Sequence, residues 1–256
     1  MLDCFDVFYV KNNQTIKQSK LINQAIILAG GFGTRLKSVI TDIPKPMAPV
    51  CERPFLAFIM DYLAKANFKK VVLSIGYKGE VIQEYFGNRY KGIEVEYATE
   101  AMPLGTGGGI LNATATCSHE PILVLNGDTF FDVPIANFYT FFMENQADLA
   151  FALKPMQDFE RYGTVLLDED QRITQFQEKQ YRESGLINGG AYILRKSIFE
   201  NQGFTIGQKF SFEADFLEKY VNDLKFSGFM VDEYFIDIGI PEDYEKAQTD
   251  FLLIDN

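Results

Sequence analysis

The chain has 256 residues, 47% of them hydrophobic, with a formal net charge of -11 at pH 7 and an isoelectric point near 4.7. That length suffices for one large domain with a full core, and so acidic a chain argues against nucleic acid or an anionic membrane as partner, since both reward basic patches. Cys4, Cys51 and Cys117 have no disulfide or zinc spacing, no apolar run approaches a membrane span, and Met1 to Lys20 lacks a signal-peptide core, so the expectation is a reduced, cytoplasmic protein.

Residues 1–23 precede the repeating pattern and are read as an N-terminal extension of unassigned role, with "CFDVFYV" as a short extra strand; the domain proper is expected over 24–256. In "AIILAGGFGTRL" the apolar run Ala25 to Leu28 reads as a strand buried on both faces. Beyond Leu28 and Ala29, the glycines Gly30, Gly31 and Gly33 let main-chain N–H groups come close to a ligand, which suits a phosphate cradle, and Thr34 and Arg35 add a hydroxyl and a fixed positive charge. The stretch matches neither the Walker pattern nor G-x-G-x-x-G, so alone it is equally a tight strand-to-loop connection. In "DIPKPMAPV" Pro44, Pro46 and Pro49 stiffen the chain around Lys45, which with Arg35 would neutralise a triphosphate.

"PFLAFIMDYLAKANF" follows as a helix with Phe55, Phe58, Ile59, Tyr62, Leu63 and Ala66 on one face and Pro54 in its first position. "KVVLSIGY" is a buried strand, "GEVIQEYFG" a short helix closed by Gly87, and "IEVEYA" a strand. "EPILVLNGD" is a strand, "IANFYTFFMEN" a helix and "DLAFAL" a further strand. The second half changes character: "YGTVLLDEDQRITQFQEK" reads as an antiparallel hairpin and "LINGGAYIL" as a strand. "SFEADFLEKYVNDL" reads as an amphipathic helix capped by Ser211, and "FIDIGIPEDYEKAQ" as a strand leading into a helix that Pro241 starts. Strands alternating with helices give an α/β domain, parallel at first and mixed later.

Ligands of open α/β sheets bind beyond the carboxyl ends of the strands. Besides the first glycine loop, three such ends carry unusual residues. Glu100 follows one strand, and Gly105, Thr106, Gly107, Gly108 and Gly109 then open a helix, a backbone-rich start that would accept a flat base or a phosphate. Asp128 ends "VLNGD" and Asp237 ends "YFID". Each aspartate alone is equally a cap or turn former, as Asp132 and Asp243 are read; together the two would hold Mg²⁺ through carboxylate oxygens while phosphates fill other positions. His119, in the polar "CSHEP", reads as a solvated loop residue, which disfavours a histidine base.

With these residues in view, the chain resembles the sugar-phosphate nucleotidyltransferase family from about Gln24 onward. The family's G-G-x-G-T-R-L stands at Gly30 to Leu36, P-K-P at Pro44 to Pro46, L-G-T-G-G at Leu104 to Gly108 and N-G-D at Asn126 to Asp128. "EK" is Glu178 and Lys179, "NGG" is Asn188 to Gly190 and "DIG" is Asp237 to Gly239. The resemblance implies a Rossmann-like, GT-A-like three-layer sandwich with a mainly parallel mixed sheet. It also implies transfer of a nucleoside monophosphate from an NTP, GTP first, to a sugar 1-phosphate, with release of pyrophosphate.

By that resemblance Leu28, Ala29, Gly30, Gly31, Gly33 and Thr34 bind nucleotide together with Glu100, Gly105 and Thr106, and Arg35 and Lys45 steady the phosphates. Asp128 and Asp237 bind Mg²⁺. Gly127, Glu178, Lys179, Asn188 and Gly189 hold the sugar phosphate. The fuller wording, including "PLGTGGGI", "FERYGTV", "FSFEADFL" and "YFIDIGIPEDY", resembles most the heptose 1-phosphate guanylyltransferase branch, which makes GDP-heptose for surface polysaccharides. Mannose 1-phosphate guanylyltransferases come next, then uridylyl- or thymidylyltransferases for glucose 1-phosphate. No C-terminal left-handed β-helix of the kind some relatives carry is expected.

Two other classes stand beside this reading. A non-catalytic sugar-nucleotide sensor would keep the loops and lose Arg35, Lys45, Asp128 or Asp237. A dinucleotide-dependent oxidoreductase would want an acidic residue where "LSIGYKGE" has Gly76 and Tyr77. A homodimer would give exposed aromatics among the 24 Phe and 13 Tyr a role, which the sequence does not separate from the core.

Overall fold

The computed structural model describes residues 22–31 and 43–254. Gly33, Thr34, Arg35 and the expected strand in "CFDVFYV" lie outside them. β1 (Gln24–Leu28) comes first, followed by a 3₁₀ turn at Lys45–Met47 and a small hairpin of β2 (Pro49–Val50) and β3 (Arg53–Pro54). Then come α1 (Phe55–Lys65), β4 (Lys70–Ile75), α2 (Gly79–Phe86), β5 (Arg89–Tyr90), β6 (Ile93–Thr99) and α3 (Gly105–Thr114). β7 (Ile122–Asn126), β8 (Thr129–Phe131), α4 (Ile135–Glu144), β9 (Leu149–Phe159), β10 (Thr164–Leu167), β11 (Ile173–Gln177) and β12 (Arg182–Leu194) follow. The chain continues through α5 (Ser197–Glu200), a π-helical segment at Phe212–Leu217, α6 (Glu218–Tyr220), β13 (Phe226–Met230), β14 (Phe235–Asp237) and α7 (Pro241–Ile254). Among the described residues no helix is long and apolar enough to cross a membrane.

At the centre β7, β1, β4 and β6 lie side by side and parallel, with Ile26 between Val72 and Val124. Successive side chains alternate between the faces, and each face is covered at the centre, which is why β1, β4 and β7 carry apolar runs, whereas β6, nearer the edge, has Glu94 exposed and Glu96 half-buried. Ile26, Val72 and Val124 pack with Ile110, Tyr192, Phe212 and Phe216 on one side; Ile27, Leu73 and Leu125 pack with Phe58, Phe138 and Phe251 on the other. The expected α/β class with a mixed, mostly parallel sheet is what the chain forms.

Three local expectations change. Pro54 caps α1 instead of opening it, because Arg53 and Pro54 pair with Pro49 and Val50 in the hairpin. α1 buries every residue from Phe55 to Asp61, since α7 also covers it through Phe251 against Phe55 and Phe58, while Ala66 is its exposed C-cap. The helix expected over 211–224 begins as a wider π-turn, whose pitch turns Phe212, Phe216 and Leu217 inward together; Ser211 Oγ accepts from Ala214 N as a cap should.

β12 organises the second half. Along one edge it pairs with β9; along the other, Ala191–Leu194 pair with β7, whereas Leu186 and Ile187 pair with β10 of the β10–β11 hairpin. The strand therefore changes partner at Asn188 to Gly190, beside the carboxyl end of β7. A second, two-stranded sheet of β8 and β14 stands over the same place.

Candidate active site

The ends of β1, β4, β6 and β7 are bonded to one another: Ala29 N donates to Ser74 O at 2.8 Å, Glu100 N to Ile75 O at 2.9 Å and Gly127 N to Leu28 O at 2.9 Å. The backbone N–H groups of Ala29 and Gly127 are thus spent inside the sheet. Any Cβ on Gly127 would lie 2.6 Å from Leu28 O, so a glycine here lets the chain turn tightly out of β7 into Asp128. Among the described residues nothing lies within 4 Å of where a Cβ on Gly31 would stand.

β8 starts directly after Asp128 and pairs with β14 so that Thr129 faces Asp237, and Ile238 N donates to Asp128 O at 3.1 Å. This short ladder brings two carboxylates from distant parts of the chain together. Lys45 Nζ joins them, 2.6 Å from Asp128 Oδ2 and 3.4 Å from Asp237 Oδ1, its side chain only 13% exposed. Burial and then the charge of Asp128 push the Asp237 carboxyl above its usual range, while Lys45 and the N–H of Gly239, 2.8 Å away, pull it back. Two oxygen-only ligands repelling each other around a cation fit a hard divalent ion in chemistry and charge. Among the described residues no set of three metal-ligating side chains occurs, so such an ion would draw its other oxygens from substrate or water.

The Lys45 arm is anchored from the far end of the chain. Met47 N donates to Pro44 O and Ala48 N to Lys45 O to close the 3₁₀ turn. Just beyond, Tyr244 OH and Gln248 Nε2 of α7 both donate to Pro49 O, at 2.5 and 2.8 Å.

The second glycine loop is shaped by contacts the sequence does not announce. Glu100 Oε2 accepts from Leu104 N at 2.9 Å and Oε1 from Ser74 Oγ at 3.3 Å, tying the loop to β4. A Cβ on Gly107 would enter the ring of Phe210, and Phe210 N donates to Leu104 O at 2.9 Å, so part of the space left by the glycines is filled by this chain's own residues 208–211. Gly105, at φ +74, makes the turn into α3. The Thr106 hydroxyl accepts from Phe212 N at 2.9 Å and donates to Glu213 Oε2 at 2.8 Å.

A cavity of about 510 Å³ lies between the β10–β11 hairpin and the helical segment that starts at Phe212. Glu178, Lys179 and Asn188 line it, as do Asn126, Tyr162 and Glu213. Asn188 is held rigidly: its Nδ2 donates to Tyr192 OH at 2.9 Å and its Oδ1 accepts from Gly190 N at 3.0 Å. Burial pushes the Tyr192 phenol well up, so it stays neutral. Gly189 faces away, and a Cβ there would sit 2.4 Å from the Phe131 ring, so it packs β12 onto β8.

Tyr162 and Arg161 were not singled out as site residues. Arg161 Nη2 is 2.5 Å from Asp243 Oδ2 and its guanidinium lies over the Tyr162 ring at 5.3 Å. Tyr162 meets Phe235 of β14 edge-on; burial, then the Asp237 charge, push its phenol up. The signal available was a Tyr-Gly pair opening the hairpin. His119 is exposed, as expected, with Nε2 against Asn23 Oδ1 at 2.7 Å, and burial pushes the Cys117 thiol up to about 11, so neither offers a reactive base or thiolate at the site.

The chain belongs to the nucleotidyl transferase family, whose model matches residues 24–252. It is 52% identical over 227 residues to the D-glycero-α-D-manno-heptose 1-phosphate guanylyltransferase of Aneurinibacillus thermoaerophilus, covering 89% of this chain and 97% of that protein. It is 50% identical over 221 residues to the enzyme of the same name from Campylobacter jejuni, covering 86% of this chain and 96% of that one. Among solved structures, HddC from Yersinia pseudotuberculosis complexed with GMP-PN shares 40% identity at a TM-score of 0.78, over 90% of this chain and 100% of that chain.

Proposed function

We propose that the protein transfers GMP from GTP to D-glycero-α-D-manno-heptose 1-phosphate, giving GDP-heptose and pyrophosphate. The observation that carries the reaction class is Lys45 held between Asp128 and Asp237 beside the cavity that Glu178, Lys179 and Asn188 line. The identity to two guanylyltransferases acting on that sugar phosphate, over nearly their whole length, supports the choice of substrates.

In this reaction an oxygen of the sugar phosphate bonds to the α-phosphorus of GTP. The bond from that phosphorus to the bridging oxygen breaks, and pyrophosphate leaves with the electron pair. The nucleophile is already an anion, so no general base is required. What the protein must supply is alignment and positive charge. Lys45 provides a fixed ammonium. Asp128 and Asp237 would hold Mg²⁺, which when bound neutralises charge developing on the phosphates. Gly30, Gly31, Gly33, Thr34 and Arg35 are assigned to the triphosphate, Gly105, Thr106 and the loop shaped by Glu100 to the nucleoside. Glu178 and Asn188 are assigned to sugar hydroxyls and Lys179 to the sugar phosphate, with Gly127 and Gly189 serving through the close packing they permit.

The test is pyrophosphate release with Mg²⁺, crossing GTP, ATP, CTP, UTP and dTTP against heptose, mannose and glucose 1-phosphates. Release highest with GTP and the heptose phosphate is expected. Another preferred pair keeps the reaction class and overturns the substrates, and binding of nucleotide without release for any pair leaves a sensor.

A further inference from the structure

The cavity beside the carboxylates is longer than one sugar ring. One side follows β11 from Thr174 to Gln177 and continues through Glu178 and Lys179; the other is a face presenting Glu213, Leu217, Glu218, Val221 and Asn222. At about 3.4 Å per residue the strand from Thr174 to Gln177 alone runs roughly 10 Å, more than a pyranose ring spans, and Glu178 and Lys179 carry this side further.

The two ends differ chemically. Gln177 and Ile187 both pair with Thr164, so the Lys179 end adjoins Asn188, close to the carboxyl end of β7 and the Asp128–Asp237 pair. That end carries Lys179, the one cation among the described residues that line the cavity, so a phosphate is favoured there although Glu178 is its neighbour. At the other end stand Thr174, Glu218 and Asn222, and Arg172 Nη2 fixes this corner by donating to Asn222 O at 3.1 Å. Phe176, Leu217 and Val221 make an apolar strip between them. A carboxylate there repels a second phosphate, whereas it accepts hydrogen bonds from two hydroxyls, and an amide side chain both donates and accepts. The cavity therefore orients a molecule with an anionic head and a neutral, hydroxyl-bearing tail.

We propose that the end bounded by Thr174, Glu218 and Asn222 is a subsite for the exocyclic carbons of the sugar, and that Glu218 and Asn222 select a seven-carbon sugar phosphate over its six-carbon counterpart. This rests on the reading of heptose 1-phosphate as substrate. Selection follows from polar groups that go unpaired when the shorter sugar is bound: a site built to bond a hydroxyl discriminates against the analogue lacking it.

The experiment is kcat/KM for the heptose 1-phosphate and for mannose 1-phosphate in the wild type, Glu218→Ala, Asn222→Ala and the double variant. Glu218 and Asn222 are exposed, and each variant is checked for an unchanged circular dichroism spectrum and thermal midpoint. The heptose-to-mannose ratio is expected to fall by about tenfold or more in each variant. A wild type that prefers the heptose, with variants that keep its ratio whether or not both efficiencies drop, overturns the subsite alone. A wild type that turns over neither sugar phosphate overturns the substrate reading and the subsite with it.

Discussion

Lys45 and Asp128 meet at 2.6 Å although they are 83 residues apart in sequence. The ammonium is mostly buried, and its neighbours within bonding distance are carboxylates. A charge so placed is fixed in direction before any substrate arrives, which is the condition under which electrostatic stabilisation of a phosphoryl transfer is strongest. Lys45→Ala should lower turnover by about 10²- to 10³-fold. Lys45→Arg, with a planar group of different reach, should recover only part of it. Steady-state pyrophosphate release checks both, with circular dichroism to show an intact fold.

Asp128→Ala should leave the fold intact and abolish turnover. In the unaltered protein, chelation with EDTA should stop pyrophosphate release and excess Mg²⁺ restore it. Turnover retained by Asp128→Ala removes that residue from the metal site.

Asp61 gives a pH signature away from the reaction. Burial pushes its carboxyl up, but hydrogen bonds from Lys91, Arg53 and Tyr90 outweigh this and hold it below the ordinary value of 3.8. The stability it confers is therefore present above that value and lost as pH falls through the lower, folded one. Asp61→Asn should cost about 1–3 kcal/mol at pH 7 in urea denaturation. The gap to the unaltered protein should close as the pH is taken below 3.8.

Tyr244→Phe and Gln248→Ala remove the two donors on the Pro49 carbonyl without touching the cavity. Each should cost about 0.5–1.5 kcal/mol of stability. Through the Lys45 arm the pair should lower kcat several-fold while leaving KM for the sugar phosphate near its original value. A fall in stability with unchanged kcat would show that the anchor serves the fold only.

The sequence made the parallel strands, the glycine-rich start of α3 and the two strand-end aspartates legible, because apolar runs, glycines and carboxylates at strand ends carry local signatures. Their partners were not legible. That Gly107 makes room for Phe210, or that Arg161 finds Asp243 and shelters Tyr162, depends on pairings across the sheet that no window of neighbouring residues contains. The same holds for the π-turn at Phe212–Leu217: an i, i+4 pattern suggested an ordinary helix, and the packing of Phe212 against Phe216 and Tyr192 favoured the wider turn. Glu100 was read as facing the nucleoside; that it also ties its loop to β4 through Ser74 and Leu104 is a pairing of the same hidden kind.

The clamp of α7 on Pro49 spans 195 residues, and the reach from Lys45 to Asp237 spans 192. At the pace of translation that interval lasts roughly 10–40 s. Throughout it, a chain still on the ribosome already displays its lysine arm but has neither the second carboxylate nor the helix that holds the arm in place. On the proposed reading, the pair of carboxylates around Lys45 is complete only once nearly the whole chain has been made, so turnover awaits the last part of synthesis however much of the sheet has formed.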